Sequence, residues 1–124
     1  MKEILLNKVT HCDFRQGISI LDDESVDLVI TDPPYINGYR SNHRVKTNKF
    51  DAIANDDDFD MIITYIRECH RIMKNNTAIY MFCDWRRIDQ FKREFEKYFK
   101  LKNILVWDKG RHGFGDLKGS YGPR

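Results

Sequence analysis

The sequence predicts an α/β layered sheet whose neighbouring strands run parallel. Apolar, β-branched runs alternate with amphipathic stretches of helical period, in the order strand, helix, strand, helix, strand. Asp32, Asp84 and Asp108 each stand just past a predicted strand end, where such sheets place their ligand sites.

Residues 3–7 read as a short strand, and 14–21 as a short helix running into the turn-like Asp22-Asp23-Glu24-Ser25. Residues 26–31, VDLVIT, form a compact run ending at Pro33, the pattern of a strand buried on both faces. Residues 35–56 are polar, contain Gly38 and lack periodicity, which predicts a long loop. A loop of that length in a small domain is usually functional or disordered. Phe59, Ile62, Ile63, Ile66, Cys69 and Met73 then recur at three- and four-residue steps, one face of a helix. Asp56, Asp57 and Asp58 offer an N-cap and negative charge at the positive end of its dipole, and Asn75-Asn76 end it. TAIYMFC at 77–83 is a second buried-strand candidate. Asp84 can cap a helix that turns Ile88, Phe91, Phe95 and Phe99 inward. Residues 101–107 read as a third main strand, and 108–124 as a glycine-rich, basic tail.

At 124 residues, 41% hydrophobic and 32% charged, the chain has the balance of one globular domain over 1–124. No apolar run approaches the roughly 20 residues that cross a bilayer, so no membrane partner is expected. MKEILLNKVTHCD lacks the apolar length and the small-residue cleavage site of a signal peptide. Cys12, Cys69 and Cys83 have no metal spacing and read as reduced, buried thiols of a cytoplasmic protein. His11, His43, His70 and His112 lack ligand spacing too, so no metal is expected. Trp85 and Trp107 read as core or strand-end packing. Net charge is only +2, but it is segregated. Four cations (Arg40, Arg44, Lys46, Lys49) and no acid lie between Pro33 and Phe50, and five aspartates follow by Asp60. On charge alone this is a solvated loop beside an acidic helix start, although such segregation also steers polyanions.

DPPY at 32–35 carries the chemistry. Asp32 is an acceptor at the end of a strand. Pro33 and Pro34 hold φ near −65° and have no amide donors, so the turn presents carbonyl oxygens, and Tyr35 adds a flat amphipathic ring. Acceptors beside a stacking wall suit an NH2 group on a planar ring. The exocyclic amine of a nucleobase is a poor nucleophile because its lone pair is delocalised. Two acceptors gripping its hydrogens pull the nitrogen towards a tetrahedral, nucleophilic form. Reaching that amine in a duplex requires the base to be flipped out. A rigid turn is the competing explanation; the buried strand directly before the motif favours a site.

SVDLVITDPPYINGYR resembles the signature of the amino-methyltransferases that methylate adenine, or less often cytosine, in DNA. DPPY is more typical of the adenine enzymes. HCDFRQGISILDDESVDLVITDPPY resembles the family's turn and short helix before the catalytic strand, with Cys12 in place of the usual glycine and Asp13 kept. FDMIITYIRECHRIMKNNTAIYMFCDW resembles its helix, Lys-Asn turn and next strand, and NILVWDKGRHGFGDLKGSYGPR its later strand with Trp-x-Lys. The likeness runs over nearly the whole chain, in the order of the subgroup whose catalytic half comes first. It implies a partial Rossmann-like methyltransferase sheet with helices packed on it, and S-adenosyl-L-methionine as cofactor. By resemblance Asp32 and the Pro33 carbonyl accept the amine hydrogens, and both lie near the cofactor. Pro34 completes the motif and Tyr35 stacks on the flipped base. Asp13 lies near the adenine end of the cofactor. DNA is the implied partner, with Arg40, Arg44, Lys46 and Lys49 of a mobile basic loop at 36–55, and Lys109 and Arg111 of the tail, facing phosphates. Such contacts give affinity and register rather than sequence choice.

One part of the family pattern is missing. Its Phe-x-Gly-x-Gly should follow a strand and open a helix, and Gly113-Phe114-Gly115-Asp116 has neither the spacing nor the setting. The expectation is therefore a catalytic half that ends before the glycine-rich cofactor motif and is inactive alone, either a truncated product or one chain of a split enzyme completed by a second chain. The alternative is a non-enzymatic, methyltransferase-derived module that binds or inhibits a protein partner or binds DNA. A small domain whose DPPY is only a turn is the third reading.

Overall fold

The computed structural model describes residues 6–37 and 57–108. Its elements run α1 (Phe14–Ser19), β1 (Val26–Thr31), α2 (Phe59–Ile72), β2 (Met73–Met81) and α3 (Ile88–Phe95). β1 and β2 pair in parallel, with Leu28 opposite Ala78 and Thr31 opposite Met81. The α/β architecture with parallel neighbours and packed helices is as the pattern predicts.

α2 forms where its periodicity places it. Asp58 caps it, the carboxylate accepting from the Met61 amide at 3.2 Å, which satisfies one of the four amides a helix start leaves unpaired. Ile62 and Ile66 are fully buried and Cys69 nearly so; each isoleucine stabilises the fold by about 1.5–3 kcal/mol. The two isoleucines meet Met61, Phe91 of α3 and Ile36, with Met81 of β2 and Cys83, just past its end, packed against them. Phe59 and Phe91 meet edge to face at 5.9 Å, and His70 lies between Tyr98 and Phe99. These contacts fix α3 on α2.

The end of α2 holds the start of the sheet. The Arg71 and Ile72 carbonyls, which lack helical partners, accept from Glu24 and Ser25 amides at 3.0 and 2.8 Å. The Arg71 side chain reaches the other way. It donates to the Ile18 and Leu21 carbonyls, both at 3.0 Å, and pairs with Asp23 at 2.5 Å and Glu68 at 2.7 Å. One guanidinium thus closes the end of α1 and the turn leading into β1.

Four expectations change. First, β1 and β2 are covered on one face only. Val29, Thr31, Ile79 and Met81 are half-buried towards the helices, while Leu28, Ile30, Tyr80 and Phe82 point away, exposed. Among the described residues a single helical layer is present, and a parallel strand needs two to be buried on both sides. Secondly, Asn75-Asn76 do not end the helix. α2 stops at Ile72 and the ladder begins at Met73, and the pairing then jumps from Val26–Met73 to Leu28–Ala78. Asn76, at φ 60°, lies in that irregularity, a conformation asparagine tolerates better than most residues. Thirdly, residues 101–108 join no strand; Leu105 and Val106 are exposed, and Trp107 meets Phe82 at 6.0 Å. Strand preference is expressed only where side chains find neighbours to pack on. Fourthly, Asp84 caps the turn before α3, not the helix itself, whose N-cap is Arg87. Of the strand expected at 3–7, Leu6 and Asn7 form a turn and the rest lies outside the described residues.

No helix among the described residues is long and apolar enough to cross a membrane.

Candidate functional site

The two strands end side by side. Thr31 pairs with Met81, and the Phe82 amide donates to the Thr31 carbonyl at 2.9 Å. Asp32 and residues 82–84 therefore leave the sheet together at its carboxyl rim, where an α/β sheet holds its ligands. Asp32 is exposed, Pro33 buried, and Pro34 and Tyr35 half-buried.

The motif folds back on itself. The Tyr35 hydroxyl donates to Asp32 Oδ1 at 2.6 Å. Burial, and then the neighbouring Asp32 carboxylate, push the Tyr35 phenol up to about 12, so at neutral pH it remains a donor. What holds this turn is Ile36. It is 8% exposed and packs in the core with Ile62, Ile66 and Phe91, at φ 60°. A β-branched residue in the left-handed region is a strained arrangement that persists only when its surroundings fix it. Here the core does so.

A second brace reaches the rim from α2. The Tyr65 and Thr31 hydroxyls are hydrogen-bonded one residue before Asp32. Burial pushes the Tyr65 phenol up to about 12. Phe14 meets the Tyr65 ring edge to face at 4.9 Å, which brings the start of α1, and with it Asp13, towards the same end of the sheet. The Asp13 carboxylate caps α1 through the Arg15 amide and takes both Nε and a terminal nitrogen of Arg15 at 2.9 and 2.7 Å. Arg15 holds the carboxyl well below its ordinary range, at about 2.

Of the residues singled out from sequence, Asp32, Pro33, Pro34 and Tyr35 form one cluster, and Asp13 stands apart from it, engaged by Arg15. Arg40, Arg44, Lys46, Lys49, Lys109 and Arg111 lie outside the described residues, as do nearly all of the basic loop and the tail. Among the described residues no three His, Cys, Asp or Glu side chains gather as a metal site would need. Burial and Asp84 push the Cys83 thiol upward, away from the thiolate a nucleophile requires. Four residues escaped sequence reasoning. Ile36 and Arg71 act through contacts that local pattern does not encode, and Tyr65 looked like one more position on a helix face. Trp85 is 73% exposed, not packed.

The family signature decides what this rim belongs to. The sequence model of the DNA methylases, the N6/N4 methyltransferases, matches residues 26–122, which contain both strands and the whole Asp32–Tyr35 turn. The chain belongs to this DNA methylase family. It is 27% identical over 105 residues to DNA adenine methyltransferase YhdJ of Escherichia coli (strain K12), covering 85% of this chain and 34% of YhdJ. It is 28% identical over 116 residues to type II methyltransferase M.HpaI of Haemophilus parainfluenzae, covering 88% and 33%. With M.HinfI of Haemophilus influenzae, also a type II methyltransferase, it shares 24% over 115 residues, covering 84% and 32%. This methylase-family chain thus spans about a third of the length of these curated relatives.

Proposed function

We infer that the chain supplies the catalytic face of an S-adenosyl-L-methionine-dependent DNA adenine methyltransferase. Residues 1–124 do not methylate by themselves on this reading, because the glycine-rich floor of the cofactor site is not among them. The observation that carries it is Asp32, exposed at the strand end with Tyr35 folded against it, in a chain of this family. The rim suits the sulfonium end of the cofactor, since the Asp32 carboxylate holds the Tyr35 hydroxyl and the negative charge of Asp84 is felt at the same hydroxyl. Asp13 meets the adenine end through the acceptor site on Oδ2 that Arg15 leaves over. When bound, the cofactor supplies the electrophilic methyl group.

The chain's own residues prepare the amine. Asp32 and the Pro33 carbonyl accept its two hydrogens, which returns lone-pair density to the nitrogen. Tyr35 packs its ring on the flipped base. The Tyr35 hydroxyl gives up its place on Asp32 Oδ1 to the incoming amine, so an internal donor is exchanged for the substrate. Arg40, Arg44, Lys46, Lys49, Lys109 and Arg111 take phosphates, and the cytoplasm is the compartment. A second reading, a non-catalytic module docking on a protein partner or DNA, is favoured by one observation, the open sheet face of Leu28, Ile30, Tyr80 and Phe82.

The grip on the amine is testable with a short duplex carrying one mispaired adenine and its twin carrying purine, which lacks the amine. Hydrogen bonds to a charged group are worth about 1.5–3 kcal/mol, so adenine is expected to bind about tenfold tighter or more, and Asp32→Ala to remove the preference. Equal affinities in the unaltered chain would overturn the reading. In calorimetry the chain is expected to give no saturable heat with S-adenosyl-L-methionine alone. Saturable binding abolished by Asp32→Ala would show that the cofactor site is complete.

A further inference from the structure

Beside the Asp32–Tyr35 turn, at the end of the second strand, stands an aromatic that nothing in the fold uses. Trp85 is 73% exposed. Its ring contact is the Arg86 guanidinium, 5.4 Å from the ring centroid, and that side chain is itself 42% exposed. The backbone beneath is fixed: Asp84 Oδ1 accepts from the Arg86 amide at 2.8 Å and its carbonyl from the Arg87 amide at 3.0 Å. On a backbone already held, binding has only the two side-chain torsions of the indole to order.

Position gives the feature its meaning. Thr31 and Met81 are paired, so Asp32 lies one residue past that pair and Trp85 four residues past it. At about 3.5 Å per residue Trp85 is within about 14 Å of Met81. Asp32 and Trp85 therefore leave the sheet at the same rim, so a strand that delivers its flipped base to Asp32 runs its neighbouring nucleotides along the rim that carries the indole. The chemistry also selects the ligand. An indole face stacks on any base, and guanidinium groups serve both the ring and phosphates. Arg86 and Arg87 follow Trp85 directly; the Asp84 carboxylate accepts from the Arg86 amide through Oδ1 and lies 3.9 Å from the Arg86 guanidinium through Oδ2, a long ion pair that a phosphate would displace.

The geometry points to Trp85 as a stacking contact for an unpaired base flanking the target, with Arg86 as its phosphate-binding companion. This rests on the proposed DNA reading and adds to it a second aromatic, on the second strand's rim.

The test uses residues 1–124 with Trp107→Phe, which leaves Trp85 as the sole indole, and a duplex in which the target adenine and the base on either side of it are mispaired, fluorescein-labelled for affinity and unlabelled for indole emission. DNA binding should quench Trp85 emission. Trp85→Ala should weaken binding about tenfold, and Trp85→Phe less, with the thermal midpoint unmoved because the side chain is in water. Arg86→Gln should lower the salt slope of log K by about 1. Binding by Trp85→Ala within twofold of the parent would overturn this inference and leave the amine-binding reading intact. Lost affinity without any change in Trp85 emission on DNA binding to the parent would overturn it too, since the residue would then act without contact. No binding of the duplex by the parent chain would overturn both.

Discussion

Replacing Ile36 sets two opposed terms against each other, and the structure says which wins. Ile36 is buried in the α2–α3 core at 8% exposure, so truncation there costs about 2–5 kcal/mol. Its φ of 60° works in the other direction, because an L-residue in the left-handed region carries about 1–2 kcal/mol of strain that glycine lacks. Ile36→Gly should therefore destabilise the chain by about 0–4 kcal/mol, the packing loss less the relieved strain. Ile36→Ala loses nearly the same packing but keeps a Cβ in the strained region, so it should be worse than glycine by about 1 kcal/mol. That order reverses the usual one, in which glycine is the weaker residue. Urea unfolding followed by circular dichroism gives both midpoints, at an unchanged slope. An alanine variant more stable than the glycine variant would refute the argument. The core would then not be imposing the left-handed turn that closes Tyr35 on Asp32.

Two further outcomes are expected. In a spectrophotometric titration of the native chain, Tyr35 and Tyr65 should ionise only near pH 12. Their folded-state values are raised, so folding favours the neutral phenols. That stability is complete below about pH 10, the unfolded value, and is lost as pH rises from there through 12. A single transition near pH 10 for all six tyrosines would be inconsistent with the buried phenols described. Arg71→Met should cost about 2–3 kcal/mol in the same urea assay, because the Ile18 and Leu21 carbonyls lose a charged donor. Arg71→Lys should recover only part of it, since an ammonium cannot fork between two carbonyls and two carboxylates. Full recovery by lysine would mean that charge, not geometry, is what counts there.

Much of this arrangement was legible in the residues because it is local. The three- and four-residue spacing from Phe59 to Met73 fixed α2, and Asp58 caps it as its position suggests. The run VDLVIT ending at Pro33 located β1 and put Asp32 on the rim. The parts that were not legible depend on what lies across the fold. Whether VDLVIT is covered on one face or two depends on how many helical layers surround it, which the strand does not record. Asn75-Asn76 suggest a helix end, but asparagine serves a strand irregularity equally well, and pairing with β1 decides between them. The run at 101–107 has strand composition without a partner strand among the described residues. Trp85 reads as packing in the sequence because most tryptophans pack; the turn that Asp84 caps carries it into water instead.

Arg71 also dictates an order of events. Its side chain joins residues 48, 50 and 53 positions earlier in the chain. α1 is six residues long, far below the length at which an isolated helix holds together in water. Its last carbonyls are closed by a donor that does not exist until α2 has been built. α1 precedes α2 in the chain, yet it should become ordered only after the isoleucines of α2 have found their core. The Asp13 end of the rim should then settle late. A chain interrupted before residue 71 would carry the whole Asp32–Tyr35 motif without the clamp that fixes its surroundings.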